Sequence, residues 1–279
     1  MRKERQYPVS ALSKTLSIPR SSLYYQEKKE SITGKEDEAS GKVLVKDIKD
    51  IFDRNRGVYG SRKIKAKLAE KNKTVSRRRI SRIMKENGLE SRYTKAKYKV
   101  HHKEVNQEPI LNEVDRQFDG REPYEVLVSD LTYIRVKQQW MYLCIIIDLF
   151  NREIVGYSVG KQHDTDLVVT ALYQIPKNLR HVGIFHSDRG GEFKGKRLKE
   201  VLEVFQIKQS LSKKGCPYDN AVAESCFKTI KTEFSRGRKF VSKEDLEYQF
   251  AAYAKWYNTE RLHGSLGYMT PQEYRLQNE

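Results

Sequence analysis

Hydrophobic positions keep a helical period in the first third of the chain and a strand period in the middle. Over residues 43–53 (VLVKDIKDIFD), Val45, Ile48 and Phe52 recur at helical spacing. Tyr59-Gly60-Ser61 then breaks the run, with Ser61 a suitable N-cap. The next run, RKIKAKLAEKN, puts Ile64 and Leu68 on one face and basic residues on the rest. Thr74 or Ser76 can cap the segment after it, RRRISRIMKENG. That segment has Ile80, Ile83 and Met84 as its apolar face and Gly88 as a C′ residue. A helix, a short turn and a second helix that opens on Arg77, Arg78 and Arg79 is the layout of a helix-turn-helix. In that layout the three arginines face phosphates or base edges in a major groove. A small helical domain with a solvated charged face is the plainer alternative. Pro8–Leu16, a turn at Ser17-Ile18-Pro19 and the start of RSSLYY form a shorter, incomplete copy within residues 1–30. Residues 27–42 (EKKESITGKEDEASGK) are polar and read as a linker.

From Tyr124 the period changes to that of strands. YEVLVSDLTYIRV, QWMYLCIIIDLF and REIVGYSVG are rich in β-branched and aromatic residues and are joined by short turns, which predicts an antiparallel meander. Asp164–Pro176 reads as a helix with Leu167, Val168, Ala171 and Leu172 on its apolar face. VGIFHSD is a short buried strand, GKRLKEVLEVFQI a helix, KQSLS a strand and AVAESCFKTIKTEF a helix. Three antiparallel strands followed by alternating helices and strands give a mixed five-stranded α/β sheet, the order of a ribonuclease-H-like fold. SKEDLEYQFAAYAKWYN is amphipathic, with Leu246, Phe250, Tyr253 and Tyr257 on one face. Trp256 and His263 read as packing and hydrogen-bonding residues. The chain thereby divides into an N-terminal helix-turn-helix fragment (1–30), an all-α helix-turn-helix domain (40–92), a linker (93–119), an α/β core (120–235) and a helical C-terminal extension (236–279).

Charge sharpens this division. The 279 residues carry a formal net charge of +17, with 54 Lys+Arg against 37 Asp+Glu. Residues 1–100 hold 28 basic and 12 acidic residues, whereas the remainder holds 26 and 25. The excess lies on the helical third, so a polyanion is the first partner to consider. Basic residues interleaved with Tyr93 and Tyr98 suit a tether along DNA, and an exposed linker is the equal alternative. The cluster SRGRKF (235–240) is read either as a flexible DNA-contacting loop or as a solvated turn. No apolar run approaches the ~20 residues of a membrane span. No apolar run follows MRKERQYPVS, so no secretory leader is expected. Cys144, Cys216 and Cys226 form no CxxC pair, and His101 and His102 are adjacent. Neither a disulfide framework nor a zinc site is expected, and a cytoplasmic, nucleoid-associated location follows.

Three carboxylates stand in costly company. Asp130 interrupts an apolar strand, Asp188 closes the next buried strand before Arg189-Gly190-Gly191, and Glu224 lies among Ala221, Val222, Ala223 and Cys226. Buried carboxylates need a partner or a metal. Three converging on a sheet edge suit two hard divalent cations, which take oxygen ligands. Asp148, at the end of the second strand, reads as structural. The spacing adds a family signal: 35 residues separate Asp188 from Glu224. SDLTYI, HSDRGGEF, LSKKGCPYDNAVAESCFKTIKTE, YNTERLHGSLGYMTP and the helix-turn-helix block YGSRKIKAKLAEKNKTVSRRRISRIMKENGL closely resemble the insertion-sequence transposases of the large "IS-three" family, OrfB type. The likeness covers roughly residues 6–275, and the core resembles the DDE core of retroviral integrases.

The resemblance implies a DDE transposase that cleaves DNA at element ends and transfers the 3′-OH to target DNA. It aligns Asp130, Asp188 and Glu224 with the catalytic triad that binds two Mg²⁺ or Mn²⁺ ions. Lys231, seven residues after Glu224, matches the family's Lys/Arg that contacts end DNA. Lys213, Lys214 and Lys228 are further expected DNA contacts, and Asp219 is expected to cap the catalytic helix. The resemblance also implies partners: terminal inverted repeats, target DNA, further copies of the chain on DNA and an upstream-frame helix-turn-helix/leucine-zipper protein, in fusion or in trans. Leu127 stands where the family often has Trp, and the retroviral His-His-Cys-Cys zinc domain is absent, which favours a transposase over a retroviral integrase. Two other readings stay open: a catalytically idle DNA-binding regulator, and a ribonuclease-H-like nuclease.

Overall fold

The computed structural model describes residues 9–17, 35–95, 120–212 and 221–279. A helix α1 spans Val9–Leu16. The remainder of the incomplete N-terminal copy, together with Tyr98, His101, His102, Lys213, Lys214, Cys216 and Asp219, lies outside the described residues. Helix α2 (Lys35–Arg54), α3 (Ser61–Glu70) and α4 (Arg77–Glu86) pack around Ile48, Ile64, Leu68 and Ile80, none of which is exposed. Burying each such side chain contributes about 1.5–3 kcal/mol. The Ser76 hydroxyl caps α4 by accepting from Arg79 N, and Gly88 leaves the helix at φ +64°.

Two local expectations are corrected. Residues 35–42 are helical rather than linker, because α2 begins at Lys35. Ser61 is the first residue of α3 and not its cap. Extended Gly60 takes the N-cap position and offers no side chain, so no side chain there bonds the first amides.

The sheet consists of β1 (Val126–Val136), β2 (Gln139–Asp148), β3 (Ile154–Gly160), β4 (Ile184–Ser187) and β5 (Lys208–Leu211), in the spatial order β3-β2-β1-β4-β5. The β1–β2 and β2–β3 pairs are antiparallel, whereas β1–β4 and β4–β5 are parallel. This is the mixed five-stranded ribonuclease-H-like sheet expected, behind an all-α helix-turn-helix region. Alternation along β1 divides the core. Leu127 faces α5 (Thr165–Tyr173) and α6 (Lys196–Val204), while Val126 and Val128 face α7 (Ala221–Ile230) and α8 (Lys243–Thr259). Gly156 lets α5 approach β3. A Cβ there would stand 2.4 Å from the Ala171 carbonyl oxygen, so no larger residue fits.

Leu246, Phe250, Tyr253 and Tyr257 of α8 are all buried as a single face, and Trp256 is buried beneath the Arg56 guanidinium at 5.3 Å. The SRGRKF segment is tied to the core at Arg238 and Phe240. Phe240 is buried and its carbonyl accepts from Lys137 N, while Arg238 lies over the Phe234 ring at 5.3 Å. Among the described residues no helix is long and apolar enough to cross a membrane.

The C-terminal helix α9 (Pro271–Asn278) starts with a Thr270/Glu273 capping box and fastens the far end of β2. Arg275 pairs with buried Asp148 at 3.1 Å and with Glu153 at 3.0 Å. Asp148 also accepts from the Tyr124 and Phe150 amides. Burial pushes its carboxyl up to about 6, against the pull of those amides and of Arg275. Asp148 is therefore structural. The folded chain holds its proton more tightly than the unfolded chain, so ionising it costs stability as pH rises through the window from 3.8 to about 6. The melting temperature of the protein minus that of Asp148→Asn should fall across this window, as read by thermal denaturation. A flat or rising difference would contradict the assignment.

Candidate active site

Asp130 and Asp188 lie at the same end of the β1–β4 pair. Val128 pairs with His186 across the parallel contact, and each aspartate comes two residues later in its own segment. Asp130 shares the strand face of Val126 and Val128, which is the face α7 covers. Asp188 follows the last residue of β4, and its Oδ1 accepts from Gly190 N at 2.9 Å, an arrangement that fixes the turn. Arg189 Nε donates to the Ser212 carbonyl at 2.9 Å and ties the same turn to the end of β5.

Glu224 stands in the first turn of α7, exposed to solvent. Partial burial raises its carboxyl and Lys231 offsets part of that effect. Lys231 Nζ lies 4.0 Å from Asp130 Oδ2, so its ammonium links Asp130 and Glu224 electrostatically. Lys228 is exposed on α7 between Glu224 and Lys231 in sequence. Among the described residues no three His, Cys, Asp or Glu side chains are close enough together to hold a metal ion. Asp130, Asp188 and Glu224 offer carboxylate oxygens, the donor type that hard divalent cations take.

Arg77, Arg78 and Arg79 are all exposed at the capped end of α4. Their backbone amides and charges form a positive helix start.

Sequence reasoning missed a buried network just behind the site. After α7 the backbone widens to a π-helical turn at Lys231–Ser235, which carries Glu233 and Phe234 inward. Glu233 is wholly buried and receives two bonds from Arg261, at 2.8 and 2.7 Å, one from Tyr253 at 3.1 Å and one from Tyr93. Burial alone would raise the Glu233 carboxyl, but Arg261 and Tyr93 outweigh it and hold it below the ordinary carboxylate range. Arg92 donates to the Glu233 carbonyl at 3.0 Å. The expectation that Tyr93 lies in a tether along DNA is thereby corrected: the Glu233 carboxylate anchors its hydroxyl to the core.

The helical domain makes further contacts with the same region. Tyr59 accepts from Leu262 N at 2.8 Å and donates to the Glu260 carbonyl at 3.2 Å, and Arg56 donates to the Ala252 carbonyl at 3.0 Å. The available signal was Glu233 between Ile230 and Phe234, the same kind of apolar company that marked Glu224.

A strand-ordered mixed sheet with carboxylates at its parallel edge, behind a three-helix basic region, defines a protein with an integrase-type core and a helix-turn-helix. Family models agree. An HTH-like domain matches residues 41–97, and integrase core domains match residues 120–217 and 205–271. The chain is 33% identical to the InsK protein of insertion sequence element IS150 from Escherichia coli K12, over 97% of this chain and 94% of that one. It is 30% identical to the transposase of IS904 from Lactococcus lactis, over 85% and 94%. It is 28% identical to the transposase InsF of IS3A from Escherichia coli K12, over 81% and 80%. The chain belongs to the insertion-sequence transposases of the IS3 family. Among solved structures, the HTLV-2 integrase catalytic core in complex with magnesium matches 55% of this chain and 96% of its own, at 16% identity and a TM-score of 0.39. The simian T-cell lymphotropic virus intasome matches 57% and 56%, at 15% identity and a TM-score of 0.45.

Removing one partner of a buried ion pair leaves an uncompensated charge and costs about 3–5 kcal/mol. Arg261→Met should destabilise the protein by about that amount in urea denaturation. Combining it with Glu233→Gln should cost clearly less than the sum of the two single changes. Simple additivity would show that the pair is not coupled.

Proposed function

We propose that this transposase is a DDE polynucleotidyl transferase, cleaving DNA at element ends and transferring the resulting 3′-OH to target DNA. Asp130, Asp188 and Glu224 are its catalytic and metal-binding residues. The observation that carries this is the placement of Asp130 and Asp188 each two residues past the last β1–β4 pair, with Lys231 Nζ 4.0 Å from Asp130 and coupled electrostatically to Glu224. Their carboxylate oxygens fit two Mg²⁺ or Mn²⁺ ions. When bound, such ions would supply the Lewis acidity that activates water or a 3′-hydroxyl and stabilises the leaving oxygen.

The protein's own part is positioning. Strand β1 carries Asp130, the turn after β4 holds Asp188, and Lys231, just past α7, reaches Asp130. The Lys231 ammonium is placed to pair with a phosphate oxygen and orient the scissile strand. Arg77, Arg78 and Arg79 are assigned to the major groove, and Lys213, Lys214 and Lys228 to backbone phosphates. The division of labour follows the boundaries 40–92 for DNA recognition and 120–235 for catalysis, with 236–279 as a structural extension. Joining two ends and a target calls for a homo-oligomer on DNA. An upstream-frame helix-turn-helix/leucine-zipper protein would add end recognition.

Asp188→Asn and Glu224→Gln should each abolish metal-dependent strand transfer on a substrate carrying the element ends, with duplex binding within about twofold of the parent protein. Strand transfer retained in either variant refutes the assignment. Arg78→Ala should weaken duplex binding and reduce the slope of log K against log salt by about 0.9 for each phosphate that Arg78 neutralises. An unchanged slope would remove Arg78 from the DNA interface.

A further inference from the structure

A cavity of about 550 Å³ opens on a different face of α7 from Glu224. Its walls come from five parts of the chain, Tyr257 of α8 among them. Lys63 is from α3, Arg152 from the β2–β3 turn, Ser225 and Thr229 from α7, and Arg261 and Ser265 from the segment after α8. Ser225 and Thr229 are four residues apart and share a helix face, about a third of a turn from the face of Glu224 and Lys231. Three of the lining side chains are cationic types, and among the described residues no Asp or Glu lines the cavity.

The cations are held in place rather than loosely exposed. Arg152 sits at φ +63°, and its guanidinium donates to the Leu149 carbonyl at 2.7 Å. Arg261 is fixed by Glu233, whose charge it matches. Lys63 has no such match. Its ammonium lies 5.1 Å from the centre of the Tyr59 ring, and among the described residues no carboxylate is within ion-pair distance of it. Burial and the neighbouring Arg261 push Lys63 down to about 7, against a smaller opposing pull from Glu233. A desolvated ammonium beside a guanidinium is costly, and an anion entering the cavity would relieve that cost. Phosphate oxygens accept from Lys, Arg and hydroxyl donors alike, which is the donor set present.

We propose that this cavity binds a backbone phosphodiester of DNA, clamped between the helix-turn-helix and the catalytic helix. The proposal rests on the transposase reading above and extends it to a specific contact. DNA is favoured over a free anion because the walls join α3 of the basic helical region to α7, the helix that carries Glu224. A duplex held by both elements passes this point. The volume also exceeds that of one phosphate, as a chain that enters and leaves requires.

The test is fluorescence anisotropy of a labelled duplex of arbitrary sequence with the full chain, titrated with salt in the absence of divalent metal. Lys63→Met keeps the aliphatic stem and removes the charge. It should lower the salt slope by about 0.9 and weaken binding about eightfold at about 0.1 M salt, while Lys63→Arg should restore both. Ser265→Glu, at an exposed position on the cavity wall, should weaken binding several-fold without touching the core. Unchanged slopes in both Lys63→Met and Ser265→Glu overturn the proposal. Inorganic phosphate raising the melting temperature of the parent but not of Lys63→Met, with duplex binding unaltered, would give the cavity to a free anion and equally overturn it. Asp188→Asn serves as the reference. It tests strand transfer while leaving the cavity intact, so failure of the chemistry and failure of this contact are read separately.

Discussion

The ion pair between Glu233 and Arg261 is the constraint on which the rest of the arrangement depends. Both side chains are buried, and desolvating two charges is unfavourable unless every remaining donor and acceptor is used. Here they are used by different parts of the chain. Tyr253 comes from α8, Tyr93 and Arg92 from the segment after the helical domain, and His263 accepts from Arg261 at 3.1 Å. The carboxylate can stay ionised only while these elements stay assembled. One ionic contact therefore holds the helix-turn-helix, the end of α7 and the C-terminal extension in a single geometry.

That geometry determines how α7 presents its faces. Lys231, just past the helix, reaches Asp130, Phe227 and Ile230 are buried in the core, and Ser225 and Thr229 line the cationic cavity. The π-helical turn at Lys231–Ser235 lets Glu233 and Phe234 turn inward directly after a residue that faces the carboxylates. The charge distribution follows the same logic. The net +17 is concentrated on the helical third, and docking that third against α7 and α8 carries positive charge to a core whose own balance is near neutral.

Much of the fold was legible because its determinants are local. β-branched and aromatic enrichment in YEVLVSDLTYIRV, QWMYLCIIIDLF and REIVGYSVG, with short turns between them, specifies three strands. Ser76 announces the start of α4 and Gly88 its end through backbone requirements that neighbouring residues alone can set. Asp130, Asp188 and Glu224 were visible for a similar reason: a carboxylate in apolar company is an anomaly readable in a short window. Ser61 misled because Gly60, the residue ahead of it, serves as the cap without a side chain. The polar stretch 35–42 misled because its composition suits both a solvated helix and a linker.

By itself, then, the sequence determined the element order, the two-part charge division, the spacing of the three acidic residues and the family to which they belong. Tertiary structure alone decided that β1 and β4 pair just before Asp130 and Asp188, that Lys231 reaches Asp130, and that Tyr59, Tyr93 and Glu233 join the two parts. Those contacts span 58 residues between Val128 and His186, 140 between Tyr93 and Glu233, and 203 between Tyr59 and Leu262. Local periodicity carries no information about which distant segments meet. Their pairing is fixed only when burial of a shared core brings charged groups close enough that each must find the other.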